Sequence, residues 1–236
     1  MKKLNSKFII LFITIFSANF CFAQQQDSIA EKDQVLAEIK NTEPRAAAPE
    51  LQAKVKAAAD KITNPKTADD FFLKAYAAQM DERYDTAIEY FRKVIKLGSD
   101  NAVTYYYMGN SYYGKLNPDK AMDYYKKAIA LKPDYAEVYN MMGNAYDQGR
   151  QNYDKAIECY KNAIKFKPDY AGAYSDMGIS YYRKHDYDKT IECLEKAIEI
   201  KPDFATAYYN MGVAYRDKKD YDKANECYKK AAQLGY

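Results

Sequence analysis

The chain has 236 residues and a formal net charge of +3, with 26 Tyr, no Trp, 9 Gly and 7 Pro. Its surplus positive charge sits in residues 1–23, where Lys2, Lys3 and Lys7 stand without an acid; the remainder carries 33 basic and 33 acidic residues. A neutral body supplies no field to gather nucleic acid or anionic lipid, and so few Gly and Pro exclude a loop-rich chain.

Residues 1–23 read as an export signal. The three lysines form a positive start, Phe8 to Phe16 a short apolar run, and Cys21-Phe22-Ala23 places small residues where cleavage needs them. The run falls short of the about 20 residues that span a bilayer, so no transmembrane span is expected in the mature chain. Periplasm or cell envelope is the expected location, with secretion as an alternative. A lipoprotein anchored through Cys21 is disfavoured, because the preceding Phe20 is bulky where that modification wants a small residue.

Residues 24–66 contain no Gly and no aromatic residue, and are rich in Ala, Lys, Glu and Gln. Two amphipathic helices are expected, near Ser28 to Lys40 and Pro49 to Ile62, broken by Glu43-Pro44-Arg45. Leu51, Val55 and Ile62 fall near helical spacing, which suits an N-terminal cap on the rest of the chain. A solvated spacer is the other reading, and the sequence leaves both open.

Residues 67–236 repeat. Tyr105…Met108-Gly109…Tyr112 returns as Tyr139…Met142-Gly143…Tyr146, Tyr174…Met177-Gly178…Tyr181 and Tyr208…Met211-Gly212…Tyr215, the glycines 34, 35 and 34 residues apart. Such a period signals one small unit stacked many times. The chain divides into five units: 68–101, 102–135, 136–170, 171–204 and 205–236. Each reads as two helices, since Tyr105, Met108 and Tyr112 share one helical face, as do Ala121, Tyr125 and Ala128. Asn117, Asn152, Asp186 and Asp220 are expected to cap second helices, with Pro118 in the first turn of one of them. Second helices should stop before Pro133, Pro168 and Pro202, and Asp134, Asp169 and Asp203 should cap the first helices of the next units. The glycines are expected to let the second helix approach the first, opposite Ala121, Ala156 and Ala224.

Over residues 68–236 these letters resemble the tetratricopeptide repeat family, whose pattern is an aromatic, Leu-Gly, Tyr, Ala, an aromatic, Ala and Pro. Unit two supplies Tyr105, Met108-Gly109, Tyr112, Ala121, Tyr125, Ala128 and Pro133. Unit one departs, with Ala75 for the Gly and Ser99 for the Pro, and unit three carries one extra residue in Gln148-Gly149-Arg150-Gln151. The resemblance implies an all-α fold, an α-solenoid of stacked helix-turn-helix repeats in a right-handed superhelical arc. It also implies a scaffold that grips a protein or peptide along its concave face.

Catalytic chemistry finds little support. His185 is the one histidine, which rules out a zinc set of several His or a second catalytic His, and its turn Lys184-His185-Asp186 reads as solvated. No Gly-rich phosphate loop is present. Neither enzyme activity nor a cofactor or metal is expected. Cys159, Cys193 and Cys227 occupy one repeat position on successive second helices. Equivalent helices stack about 8–10 Å apart, beyond the roughly 7 Å Cα limit of a disulfide, so these are expected to be packed, unpaired thiols.

In the resembling family the fifth, ninth and twelfth positions of each unit face the groove. Here they are Phe72, Tyr76 and Gln79; Tyr106, Asn110 and Tyr113; Asn140, Asn144 and Asp147; Ser175, Ile179 and Tyr182; and Tyr209, Val213 and Arg216. The tyrosines offer apolar faces with hydroxyl tips, and the Asn pair suits an extended peptide backbone. No unit has Lys at the fifth position, which disfavours a carboxylate-gripping groove. The readings are therefore an envelope scaffold holding a protein through a Tyr/Asn-lined groove, or, alternatively, carbohydrate and cell-wall binding. The last unit ends at Leu234-Gly235-Tyr236 with no polar capping helix, and self-association there is a further expectation.

Overall fold

A computed structural model describes residues 29–39 and 49–236. The leader and Cys21 lie outside the described residues. Twelve helices and no strand are found among those described. They are α1 (29–39), α2 (Pro49–Lys61), α3 (Ala68–Met80), α4 (Tyr84–Lys96), α5 (Ala102–Gly114) and α6 (Pro118–Leu131). The series continues with α7 (Ala136–Arg150), α8 (Tyr153–Phe166), α9 (Ala171–Arg183), α10 (Tyr187–Ile200), α11 (Ala205–Asp217) and α12 (Tyr221–Gln233). From α3 onward each odd helix pairs with the next, and each pair lies on the following pair, giving an all-α solenoid. First helices also meet the first helices of neighbouring units, so the stack bends toward their side.

The turns are set by side chains. Asn117, Asn152, Asp186 and Asp220 each accept from the backbone N–H three residues on, at 3.1 to 3.3 Å. Thr67 and Asp70 form a reciprocal capping box at the start of α3, a signal the repeat pattern did not contain. One expectation fails. Asp134, Asp169 and Asp203 cap nothing; the cap positions belong to Tyr135, Tyr170 and Phe204, which make no side-chain cap bond. The backbone N–H groups of these aromatics bond back to Lys132, Lys167 and Lys201 at 3.1 to 3.2 Å, and the Lys ammonium groups sit over the rings at 4.7 to 5.3 Å. The turn thus closes around the ring rather than around the Asp before it.

Between first and second helices, Glu82, Leu116, Gln151, His185 and Lys219 all adopt left-handed backbone, with φ from 50° to 66°. In units one, two, four and five the next N–H reaches back five residues to a first-helix carbonyl, for example Asn117 to Tyr112 at 3.0 Å. In unit three, with its extra residue, Asn152 reaches back to Tyr146 at 2.9 Å. His185 is one of these five turn residues, exposed and within 3.2 Å of the Tyr187 hydroxyl.

The repeated glycines serve tyrosine rings. A Cβ at Gly109 would come 2.4 Å from Tyr125, at Gly143 2.4 Å from Tyr160, and at Gly212 2.6 Å from Tyr228. Ala121, Ala156 and Ala224 are buried beside them. Gly178 is different: Leu194 replaces the tyrosine and the nearest atoms lie at 3.2 to 3.3 Å.

Helices α1 and α2 form an additional antiparallel pair. Val35, Leu36, Ile39, Leu51 and Val55 join the core that contains Phe72, Leu73 and Phe91. Lys61–Glu31 (2.6 Å) and Lys54–Glu38 (3.3 Å) tie the pair at its two ends, and Lys32–Asp70 (3.1 Å) ties it to α3. Burial alone would push the Asp70 carboxyl up, but the backbone N–H groups of Thr67 and Lys66, together with Lys32, hold it down to about 2.

The glycine contacts give a graded expectation. Ala is the better helix former by roughly 1 kcal/mol. At Gly178 that gain should offset the mild crowding, leaving stability near the parent's. Gly143→Ala must displace a ring that is fully buried and hydrogen-bonded through its hydroxyl, and should cost about 1–3 kcal/mol. Urea unfolding of both variants checks this; equal midpoints would reject it.

Candidate functional site

The first-helix face is stitched by a rule. The twelfth residue of one unit reaches the thirteenth of the next. Tyr113 donates its hydroxyl to Gln148 Oε1 at 2.6 Å, Asp147 pairs with Arg183, and Tyr182 donates to Asp217 Oδ2 at 2.6 Å. Ser180 adds a bond to the second Asp147 oxygen. At the first joint Gln79 takes a variant route, donating to the Tyr107 carbonyl at 2.9 Å and to Ser111 Oγ at 2.8 Å. The bond from Tyr182 to Asp217, followed by burial, raises the Tyr182 pKa to about 12. Arg216, exposed, donates through Nε to the neighbouring Asp217 at 2.9 Å.

Many predicted groove residues are therefore structural. Tyr76, Tyr106, Asn140, Asn144 and Asp147 are all at most 4% exposed. Tyr76 meets Tyr107 edge-on with centroids 5.0 Å apart, and Tyr106 packs against Tyr135 at 5.3 Å. Burial pushes the Tyr106 hydroxyl well above its ordinary pKa. Asn140 donates to Asp176 at 3.1 Å. Asn110 and Asn144 accept the hydroxyls of Tyr125 and Tyr160, each at 2.8 Å. The Tyr that lies across a glycine thus finds its hydroxyl partner in the residue after that glycine, so these Asn hold second helices to first. The pattern was present in the sequence as Gly-Asn in units two and three, with a Tyr on the second helix of each.

What stays open is narrower. Tyr113, Ile179, Tyr182 and Val213 are half-buried along the face, and Asn110 is only partly covered. Tyr209 is half-buried too, under Tyr236, whose ring stacks on it at 4.3 Å. Tyr236 there stands to Tyr209 as Tyr135 stands to Tyr106.

The predicted residues of units one and two do converge. A cleft of about 460 Å³ runs between α2, α3, α5 and α7, with Tyr76, Tyr106 and Tyr107 as floor. Its walls are Tyr84, Tyr113, Gln79, Met80, Asn110 and Met141, with Gln52, Gly114 and Leu116 at the rim. This volume falls within the roughly 300–1,000 Å³ of ligand-sized pockets. Gln52, Tyr84 and Leu116 escaped the sequence reading because they lie on α2, a second helix and a turn, which the repeat pattern assigns to other duties.

Cys159, Cys193 and Cys227 are buried and unpaired. Burial raises the Cys159 and Cys193 thiols to about 12, so at neutral pH they are not nucleophiles. Among the described residues no group of His, Cys, Asp and Glu is arranged to hold a metal, and no helix is long and apolar enough to cross a membrane.

Family models described as TPR repeat match residues 150–185 and 180–218, and others described as tetratricopeptide repeat match 32–102, 102–135, 124–158 and 205–235. A comparison with curated proteins found no match. Among solved structures, the chain is similar to the crystal structure of MamA, at 32% identity over 68% of this chain and 93% of that one, with a TM-score of 0.60. It also superimposes on PilF of Pseudomonas aeruginosa at 17% identity, covering 75% of this chain and 78% of that one, with a TM-score of 0.66. A chain of the APC/C hetero-tetramer Cut9–Hcn1 aligns at 16% identity over 79% of this chain and 36% of that one, TM-score 0.65. The last two likenesses concern the fold alone.

The buried asparagines should behave as stability residues. Asn144→Ala removes the side-chain oxygen that accepts the buried Tyr160 hydroxyl and is expected to cost about 1–3 kcal/mol. Asn144→Ala combined with Tyr160→Phe should cost less than the sum of the two singles. Thermal unfolding of the three variants checks this, and additive losses would contradict it.

Proposed function

Because the chain belongs to the tetratricopeptide repeat family, we propose that it is a non-enzymatic scaffold holding a protein partner on its first-helix face. The family and the stacked helix pairs support protein–protein interaction as its work. The observation that carries the choice of face is the tyrosine-floored cleft between α3, α5 and α7; Ile179 and Tyr182, on a first helix farther along, are half-buried as Tyr113 is. Lys2, Lys3, Lys7 and the apolar run after them favour export, and with it a role in assembling a complex of the cell envelope. The peptide reading is preferred to the carbohydrate one because the Tyr76 and Tyr106 rings are committed to other rings, which leaves few faces for a sugar to stack on.

Tyr113→Ala with Ile179→Arg alters the open stripe without touching the buried asparagines. That pair should lower capture of a partner from native envelope extracts by about tenfold. Lys126→Glu with Lys161→Glu, on exposed second-helix surface, should leave capture unchanged. The reverse pattern would reject the proposal.

Self-association through the last helix pair is a second reading, favoured by Tyr221 and Tyr236 at 61% and 59% exposure. Sedimentation of the purified protein should then show a dimer that Tyr221→Lys disperses; a monomer at high concentration would reject it.

A further inference from the structure

Four of the five left-handed turn positions carry polar residues, namely Glu82, Gln151, His185 and Lys219. The fifth carries Leu116, which has φ 57° and is 90% exposed. Neither property helps folding. Asn or Gly would relieve the backbone there, and any polar residue would be better solvated. A strained, fully displayed apolar side chain is an outlier that points to function.

Leu116 stands at the rim of the tyrosine cleft. Beside it Gly114 makes room for Tyr84: a Cβ at 114 would lie 2.5 Å from that ring. Leu116 thus continues an apolar wall that the glycine allows to form. The residues lining the cleft include no Asp, Glu, Lys, Arg or His. Farther along the same face the character changes, with Asp147 and Arg183 at one joint and Arg216 and Asp217 at the last. A charged side chain entering the cleft would lose its water with no charged group in the lining to offset the loss, and Glu82, outside the lining but acting on Tyr84, disfavours an acid further. An apolar side chain would cover Leu116 and the exposed edges of Tyr84 and Tyr113.

We propose that Leu116 is a specificity-determining contact and that the cleft takes an uncharged, extended polypeptide segment bearing an aliphatic or aromatic anchor. The anchor enters between Tyr84 and Tyr113 and packs against Leu116. This rests on the reading of the first-helix face as the partner surface, and it adds which chemistry that surface accepts at its N-terminal end.

The test uses the full chain and a displayed library of random dodecapeptides, with selected sequences remade as acetylated, amidated peptides. Selected peptides should be depleted of Asp, Glu, Lys and Arg around an apolar anchor. Leu116→Asn should weaken them by about tenfold while leaving the melting temperature equal or higher, because Asn suits the left-handed turn. Selection of peptides with an obligatory charge, or no selection at all, overturns the proposal. Peptides that lose affinity with Ile179→Arg or Arg216→Glu but not with Leu116→Asn overturn it and leave the first-helix face standing as the partner surface. Peptides insensitive to every one of these substitutions overturn both.

Discussion

A tyrosine ring laid across a glycine closes the helix hairpins of units two, three and five. At Gly109, Gly143 and Gly212 the ring occupies the place of a Cβ, which brings the second helix onto the first. Where the ring is fully buried, its hydroxyl must find an acceptor, and Asn110 or Asn144 supplies it. The two choices travel together. Unit four has Leu194 in place of the tyrosine and Ile179 in place of the asparagine. Unit five keeps Tyr228 with Val213, and there the tyrosine is only partly buried, so its hydroxyl can reach water. One hairpin cannot bury enough apolar area to stand alone, and the stack supplies the rest.

This constraint shapes the inner face. Closing the hairpins consumes Asn110 and Asn144, and bonding first helices to one another engages Gln79, Tyr113, Asp147 and Tyr182. The surface those duties leave uncovered is a cleft at units one to three with no charged residue in its lining, and beyond it the half-buried Ile179, Tyr182 and Val213. Outside, ion pairs repeat at the joints, Lys115 to Asp85, Lys184 to Asp154 and Lys218 to Asp188. They are exposed and add little energy each, but they mark the same register that the inner bonds enforce.

Much of the fold was legible because it is periodic. The helix pairs, the caps at Asn117, Asn152, Asp186 and Asp220, and the unpaired cysteines all arise from residues recurring at one spacing. The caps predicted at Asp134, Asp169 and Asp203 failed because a Lys-Pro-Asp-aromatic turn offers two ways to begin a helix, and burying the ring prevails over a surface hydrogen bond. The site was less legible. Position within a unit says which side of a helix a residue is on, but whether it is exposed depends on its neighbours across the joint. Asn140 and Asp147 lie on the first-helix face as their positions predict, but are covered by Asp176, Ser180 and Arg183 of the next unit. Leu116 is not announced by any letter of the repeat, since its turn is defined by backbone shape.

The central claim is that a protein partner lies along the first helices. Hydrogen exchange of the chain, alone and with its captured partner, tests it most directly. Slowed exchange is predicted in α3, α5 and α7, in the turn around Leu116 and at the start of α4 around Tyr84, with the rest of α4 and with α6 and α8 unchanged. Protection confined to those second helices would contradict it.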